Sequence, residues 1–155
     1  MRQNMKIVEN NKNYLKDFIR LNEEWIQKYF EIEQMDRDLA KNPYLIIEKG
    51  GYIFSIIDNK NVIGVCALMN NGNGVYELAR MAVSAQYQGK GYGSLLIETC
   101  LKKLKSIKAK KVCLISNTKL EKAICLYKKF GFNTVKIGQH PIYKRANIEM
   151  ERHIS

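Results

Sequence analysis

The chain has 155 residues, of which 46% are hydrophobic, and its 26 Lys and Arg against 15 Asp and Glu give a formal net charge of +11. That length suits one domain with a sizeable packed core, so we expect residues 1–155 to form a single domain. The longest apolar run, residues 62–69, is too short for a membrane span, and the N-terminus lacks the apolar segment of an export signal. We therefore expect a cytoplasmic protein with no membrane partner.

The cysteines predict no metal site. Cys66, Cys100, Cys113 and Cys125 lie far apart, and each fits an apolar pattern, so we expect four buried free thiols in a reducing compartment. Neither histidine is spaced with a cysteine pair as a zinc site requires. The first 42 residues are neutral in sum, so residues 43–155 carry the whole positive excess. A polyanionic ligand, either a nucleotide cofactor or nucleic acid, would explain this charge, as would a plain basic surface.

Hydrophobic periodicity and turn residues predict the following elements in chain order. The first third contains a short strand and two helical segments, at residues 6–8, 13–30 and 34–41. An antiparallel meander of three strands follows, at residues 52–57, 62–69 and 75–83. The last third alternates helix, strand, helix and two strands, at residues 94–106, 112–115, 119–130, 132–137 and 146–151. This order indicates a mixed α/β or α+β fold around one central sheet.

A glycine-rich turn, residues 88–94, joins the third meander strand to the next helix. A strand that runs into glycines and then a helix directs main-chain N–H groups and the helix dipole at an anion. The turn is not a P-loop, because no Gly-Lys pair follows its first glycine at the required spacing, and it is not the dinucleotide fingerprint, because Ser94 stands where the third glycine belongs. What remains is Q-x-x-G-x-G, read as Gln88, Gly91 and Gly93.

Three neighbouring segments share the pattern of one family. They read E-L-A-R-M-A-V at 77–83, S-N-T at 116–118 and L-Y-K-K-F-G-F at 126–132. With the glycine turn, they make residues 53–151 resemble the GNAT superfamily of acyl-CoA N-acyltransferases. The resemblance implies a GNAT-like fold, with a central, mostly antiparallel sheet of six or seven strands flanked by helices. It also implies an enzyme that moves an acetyl group from acetyl-CoA to a primary amine by direct transfer in a ternary complex.

The resemblance also implies how coenzyme A is held. The glycine turn would cradle the pyrophosphate, and the end of the preceding strand would hold the pantetheine arm like an added strand and polarise the thioester carbonyl. Asn117 can cap the following helix, bond the pantetheine arm, or do both. The implied cofactor-binding residues are Met81, Ala82, Val83, Gln88, Gly89, Lys90, Gly91, Tyr92, Gly93, Ser94 and Asn117.

Two residues match catalytic positions of the family. Tyr127 would protonate the departing thiolate, since a phenol with a pKa of ~10 keeps its proton at neutral pH; alternatively it is a core aromatic. Glu77 would act as general base, directly or through water; alternatively it is an ordinary strand glutamate. Strict alternation would place Glu77 and Arg80 on opposite faces of the sheet, whereas a bulge in this strand would change that parity.

The acceptor side is less defined. Residues 22–38 carry six acidic residues against Lys28 and Arg37, a segment that would attract a cationic amine or would simply be a solvated helix face. In the family this region borders the acceptor site, which makes Trp25, Tyr29 and Phe30 candidate wall residues. His140 lies in the connection between the last strands, where acceptors also bind.

Two rival functions do not require catalysis. One is an acyl-CoA-binding module with the fold but no turnover. The other is a nucleic-acid-binding module that uses a lysine-rich helix face, although this face lacks interleaved aromatics and a recognisable reading motif. We therefore expect a small-molecule or peptide amine as partner rather than nucleic acid, and a homodimer is compatible with the sequence. The lysines concerned are Lys102, Lys103, Lys105, Lys108, Lys110 and Lys111.

Overall fold

A computed structural model describes residues 5–154; residues 1–4 and 155 of the predicted domain lie outside the described range. The strands are β1 (Met5–Glu9), β2 (Tyr52–Asp58), β3 (Asn61–Asn70), β4 (Val75–Val83), β5 (Lys111–Ser116), β6 (Asn133–Ile137) and β7 (Ile148–His153). The α-helices are α1 (Leu15–Tyr29), α2 (Gln34–Lys41), α3 (Leu45–Glu48), α4 (Tyr92–Ser106) and α5 (Glu121–Lys129). Short 3-10 turns span Lys12–Tyr14 and Ala85–Tyr87.

The strands form one sheet of seven strands in the order β1-β2-β3-β4-β5-β7-β6. Neighbouring strands are antiparallel except β4 and β5, which are parallel. The predicted meander and mostly antiparallel sheet are therefore confirmed. The single parallel pair arises because α4 carries the chain from the end of β4 back across one face of the sheet before β5 begins.

The helices bury one apolar stripe each on the two faces of the sheet. Every third or fourth residue of α1 is buried, and Phe18 and Leu21 pack against Val65 and Ala67 of β3. On the opposite face, α4 places its own apolar stripe against Cys66 and the other alternate residues of β3. Because β3 is covered on both sides, its sequence reads as a continuous apolar run.

Local capping and backbone conformation set the helix boundaries. A capping box between Glu33 and Asp36 begins α2. Gly131 has φ of 89° directly after the last turn of α5, as predicted for a helix C-terminus. The glycine-turn helix begins at Tyr92, two residues before its predicted start, because Gly91 with φ of 91° is its N-cap.

Two expectations were wrong. The short helix α3 was not predicted, because its four residues span barely one turn and leave no periodicity to read. Only Cys66 and Cys100 are buried, whereas Cys113 is half-buried and Cys125 is exposed. All four are free thiols.

We expect the packing of α1 to stabilise the whole fold. Phe18→Ala should lower the free energy of unfolding by about 3–5 kcal/mol, because the fully buried ring leaves a cavity between α1 and the sheet. The matched control is Leu45→Ala, whose side chain is 40% exposed and should cost less than about 1 kcal/mol. Urea unfolding followed by the fluorescence of the single tryptophan measures both. Equal losses would contradict this account of the core.

Candidate active site

The candidate site is a cleft where β4 and β5 stop pairing. Their parallel ladder has only three residue pairs, from Val75 with Lys111 to Glu77 with Cys113. Beyond this ladder lies a cavity of about 510 Å³. It is lined by residues 78–81 of β4 and by residues 114–117, which follow the last residue of β5 that pairs with β4. The predicted site residues that line it are Trp25, Phe30, Glu77, Met81, Asn117, Tyr127 and His140.

A β-bulge in β4 shapes one wall of the cavity. Val65 of β3 pairs with Ala82, but Ala67 pairs with Ala79, so Arg80 and Met81 have no register partner on β3. Arg80 has φ of 58°, the left-handed conformation, which costs a non-glycine residue about 1–3 kcal/mol. The bulge changes the side-chain parity, and Glu77 and Arg80 both line the same cavity. Strict alternation therefore does not hold through this part of β4.

A buried ion cluster holds the bulge. The Asp36 side chain is 2% exposed and accepts hydrogen bonds from Nη1 of Arg80 at 2.5 Å and from both Nη atoms of Arg145 at 2.7 Å. The other terminal nitrogen of Arg80 donates to the Tyr143 hydroxyl at 2.6 Å. Glu33 contacts Arg145 at 3.3 Å. We call these five residues the Asp36 cluster; it joins α2, β4 and the β6–β7 loop.

The cluster also sets the ionisation of its central carboxyl. Burial alone would raise the pKa of Asp36, but hydrogen bonds from Arg145, from the Glu33 N–H and from Arg80 lower it to about 2. Glu33 and Asp36 are two of the six acidic residues in the segment predicted to attract a cationic acceptor. Because Arg80 and Arg145 already pair with them, that segment contributes less free negative charge than its sequence suggests.

Tyr127 reaches the cavity from α5. Its ring packs edge-on against Phe132, with ring centroids 6.0 Å apart, while the side chain lines the cavity. Burial, with a smaller contribution from Cys66, raises the pKa of the phenol to about 12. The residue therefore carries its proton throughout the neutral range.

Glu77 enters from the opposite face of the sheet. Its register partner Met69 packs in the core beneath α1, whereas Tyr127 packs in the core beneath α4. Burial raises the pKa of the Glu77 carboxyl; the charge of Arg80 opposes this shift and that of Glu149 adds to it. A carboxylate with a raised pKa is a stronger proton acceptor than an ordinary glutamate.

The glycine turn lies beyond the cavity at the start of α4. Gly89 and Gly91 have φ of 74° and 91°, and a Cβ built on either glycine would meet no atom within 4 Å. The space beside both glycines is therefore open, and Lys90 between them is exposed. The Gln88 side chain donates to the Val83 carbonyl at 3.0 Å and so ties the turn to the end of β4.

Two predicted cofactor residues have side chains in the core, so only their main chain faces a ligand. Tyr92 is 5% exposed and packs against Tyr87 with ring centroids 5.9 Å apart. Ala82 is 2% exposed and pairs with Val65. The remaining turn residues, Gly93 and Ser94, are half-buried in the first turn of α4.

Asn117 and His140 both stabilise loops that border the cavity. The Asn117 amide donates to the Arg145 carbonyl at 2.9 Å, and its oxygen accepts the Lys119 N–H at 2.9 Å. The helix-capping alternative was wrong: the N-cap of α5 is Leu120, which makes no side-chain cap hydrogen bond, and Asn117 instead closes a turn before the helix. Nδ1 of His140 accepts the N–H groups of Ile142 and Tyr143, each at 3.1 Å, so the neutral ring carries its proton on Nε2.

The aromatic residues of α1 form one group, of which two reach the cavity. Trp25 lies 5.5 Å from Tyr29 and 5.9 Å from Phe30 between ring centroids. Trp25 and Phe30 line the cavity, whereas Tyr29 does not and is 38% exposed. Lys119 lies over the Phe30 ring at 4.1 Å from its centroid. The apolar wall is therefore Trp25 and Phe30.

Sequence reasoning missed three residues of the site. Asp36, Tyr143 and Arg145 carry no role in any motif that the sequence shows. The only local signal was the spacing of Glu33 and Asp36, which is typical of a capping box. In residues 5–154, no group of three or more His, Cys, Asp or Glu could hold a metal ion. Over the same range, no helix has the length and apolar character that crossing a membrane requires.

The chain belongs to the GNAT family of acetyltransferases, because residues 18–132, well over half of its length, match that family. No curated protein sequence matches it significantly.

Solved structures of acetyltransferases share its fold. A GNAT-family acetyltransferase from Staphylococcus aureus Mu50 aligns with a TM-score of 0.86 at 21% identity, covering 97% of this chain and 99% of that one. The ribosomal-protein-S18-alanine N-acetyltransferase of Escherichia coli aligns with a TM-score of 0.77 at 20% identity, covering 97% of this chain and 94% of that one. A Vibrio cholerae spermidine N-acetyltransferase, in complex with CoA and spermine, aligns with a TM-score of 0.73 at 19% identity, covering 97% of this chain and 96% of that one.

The Asp36 cluster predicts how stability depends on pH. The folded pKa of about 2 lies below the ordinary 3.8, so the cluster's contribution is fully present above pH 3.8 and is lost as the pH falls through 2. The difference corresponds to about 2 kcal/mol. Between about pH 5 and pH 2, the free energy of unfolding measured in urea should fall by about 2 kcal/mol more in wild type than in Asp36→Asn. Parallel curves for the two proteins would contradict the assignment.

Proposed function

We propose that the protein is an N-acetyltransferase that moves the acetyl group of acetyl-CoA to a primary amine by direct transfer in a ternary complex. The co-substrate supplies an activated thioester. The observation that carries the proposal is the cleft between β4 and β5, which Tyr127 and Glu77 both line and beyond which the glycine turn begins α4. We further propose that residues 1–155 form one acetyltransferase domain that acts in the cytoplasm.

The glycine turn fits a pyrophosphate. The positive φ angles of Gly89 and Gly91 bend the main chain into a concave surface with no side chain inside it. It lies at the N-terminus of a 15-residue helix, where the positive end of the helix dipole favours an anion. Lys90 adds a cation beside it. A side chain at Gly89 or Gly91 would enter this space and strain the turn.

The free edge of β4 fits an extended pantetheine arm. Residues 78–83 have no register partner on β5, so this edge can pair with an added chain. Gln88 already occupies the Val83 carbonyl. We therefore place the main-chain contacts of the arm mostly upstream of Val83, at the bulge residues Arg80 and Met81. Asn117 closes the other side of the cleft, although both ends of its amide are engaged in the loop.

Glu77 is the proposed proton acceptor and Tyr127 the proposed proton donor. An alkylamine with a pKa of ~10 reaches the site protonated, and the departing thiol has a pKa of ~8.5. Glu77 accepts a proton from the amine, directly or through water, and Tyr127 supplies one to the sulfur. Because the two side chains reach the cleft from opposite faces of the sheet, the Glu77 carboxylate can stay ionised while the Tyr127 phenol keeps its proton.

The acceptor would approach along α1 and the β6–β7 loop. Trp25 and Phe30 form an apolar wall, and His140 holds the loop on the other side. Relatives of the same fold include a spermidine N-acetyltransferase and an enzyme that acts on the alanine of a ribosomal protein. Small-molecule and peptide amines are accordingly both proposed for this chain.

We expect Tyr127→Phe to lower kcat by about 10- to 100-fold while leaving the acetyl-CoA affinity nearly unchanged, because only the proton donor is removed. A panel of primary amines with acetyl-CoA, scored by release of free thiol, measures the rate, and calorimetry measures the affinity. Tyr44→Phe, a phenol outside the cavity, is the matched control.

The same measurements separate the proposal from its rivals. Full activity in Tyr127→Phe would remove its acid role. Cofactor binding without thiol release across the whole panel would indicate a binding module, and no heat with CoA or acetyl-CoA would overturn the enzyme assignment.

The pH profile tests Glu77. Its pKa is raised, so kcat/KM should fall on the acid side along a limb that lies above the ordinary 4.5, because a protonated carboxyl cannot accept a proton. Glu77→Gln should lower kcat by about 100-fold and abolish this limb. Glu149→Gln removes a neighbouring charge that raises the pKa of Glu77, so it should move the limb to lower pH.

The control for both substitutions is Glu98→Gln on the exposed face of α4, which should leave the profile unchanged. A limb that persists in Glu77→Gln would assign the base to another group.

A further inference from the structure

The bulge residues of β4 depend on side chains from outside their own strand. Arg80 and Met81 have no register partner on β3 or β5, so no ladder fixes their peptide groups. Nδ2 of Asn22, on α1, donates to the Arg80 carbonyl at 3.0 Å. Asp36 and Tyr143 hold the Arg80 guanidinium at 2.5 and 2.6 Å. Three separate elements thus converge on one left-handed residue.

Asp36 is the member of this arrangement that cannot act on a substrate itself. It does not line the cavity, and its side chain is only 2% exposed. Its carboxylate accepts from Arg80 and Arg145, both of which do line the cavity. The side-chain hydrogen bonds through which Asp36 can position groups at the cleft therefore run through those two arginines.

We propose that Asp36 is a positioning residue for acetyl transfer: through Arg80 it fixes the β4 bulge at the cleft, and through Arg145 it ties the β6–β7 loop to the same carboxylate. This inference rests on the proposed function. It couples the strand that would hold the acyl donor to the loop that borders the acceptor, so that both walls share one anchor.

The glycine turn lies outside this arrangement. The turn is tied to β4 by a different contact, the hydrogen bond from the Gln88 side chain to the Val83 carbonyl. Loss of the Asp36 charge should therefore misplace the bulge without weakening the pyrophosphate site. Because the bulge would hold only part of the cofactor and the pyrophosphate site is kept, kcat should fall by more than the KM for acetyl-CoA rises.

The test compares Asp36→Asn with Asp17→Asn, whose ion pair with Arg20 lies on the exposed face of α1. Asp36→Asn should lower kcat about tenfold or more, since small misplacements in a reacting geometry are costly, with the KM for acetyl-CoA within about twofold of wild type. The control should match wild type. Wild-type kcat in Asp36→Asn would overturn the proposal.

Amide hydrogen exchange supplies a readout independent of activity. In Asp36→Asn, exchange in residues 78–83 should be about tenfold faster than in wild type, while β2 in the core keeps its protection. Equal acceleration in β2 would indicate global destabilisation and overturn a specific role. If Asp36→Asn does not fold, Asp36→Glu, which keeps the charge but displaces it by one methylene, should show the same kcat loss and local exchange in milder form; wild-type behaviour would overturn the proposal.

The exchange experiment also separates the two hypotheses. If wild type transfers acetyl to no amine, the proposed function fails. Faster exchange confined to residues 78–83 would still support Asp36 as the anchor of the bulge, whereas unchanged exchange there would overturn it.

Discussion

The interruption of pairing between β4 and β5 is the constraint on which the site depends. Each strand stays paired on its outer side, β4 with β3 and β5 with β7, while the inner edges share only three residue pairs. Main-chain groups left without a partner are costly when buried, so such an edge persists only where water or a ligand can satisfy it. The opening also lets side chains from both faces of the sheet, Glu77 and Tyr127, reach one cavity.

The Asp36 cluster keeps that opening in a defined shape. Buried ion pairs add little net stability, because the desolvation of each charge offsets most of the attraction between them. Their value lies in geometry: a carboxylate with hydrogen bonds from two guanidinium groups at 2.5–2.7 Å has few alternative arrangements. These contacts, together with the hydrogen bond from the Asn22 amide to the Arg80 carbonyl, offset the cost of the left-handed backbone at Arg80.

The sequence predicts those parts of the fold and site that local patterns determine. The bounds of β4 follow from the turn residues before and after it, and the end of α2 follows from Asn42-Pro43. The glycines at 89 and 91 likewise predict a turn, and both have positive φ angles. Tyr127 and Glu77 line a common cavity because their elements pack as the family pattern implies. By contrast, Asp36 and Arg145 are 109 residues apart, and no periodicity connects two residues whose contact forms only when the sheet closes.

Local sequence patterns also did not predict how deeply individual residues are buried. Cys113 lies in an apolar strand, yet it is half-buried because β5 ends at the cleft, and Cys125 is exposed although it lies among apolar residues of α5. An apolar pattern indicates which face of an element is buried only where a neighbouring element covers it. The cleft is the place where that cover is missing.

The charge balance of the cavity follows from the same arrangement. Arg80 and Arg145 would make the cavity cationic, but Asp36 pairs with both and Glu33 pairs with Arg145, so neither guanidinium is left without a counter-charge. The carboxylate of Glu77 retains a raised pKa despite the nearby Arg80, which shows that burial outweighs that cation. Under the proposed function, a cluster that fixes the bulge would also screen the acceptor side, so the geometry of the donor strand and the electrostatics met by an amine would have one common origin.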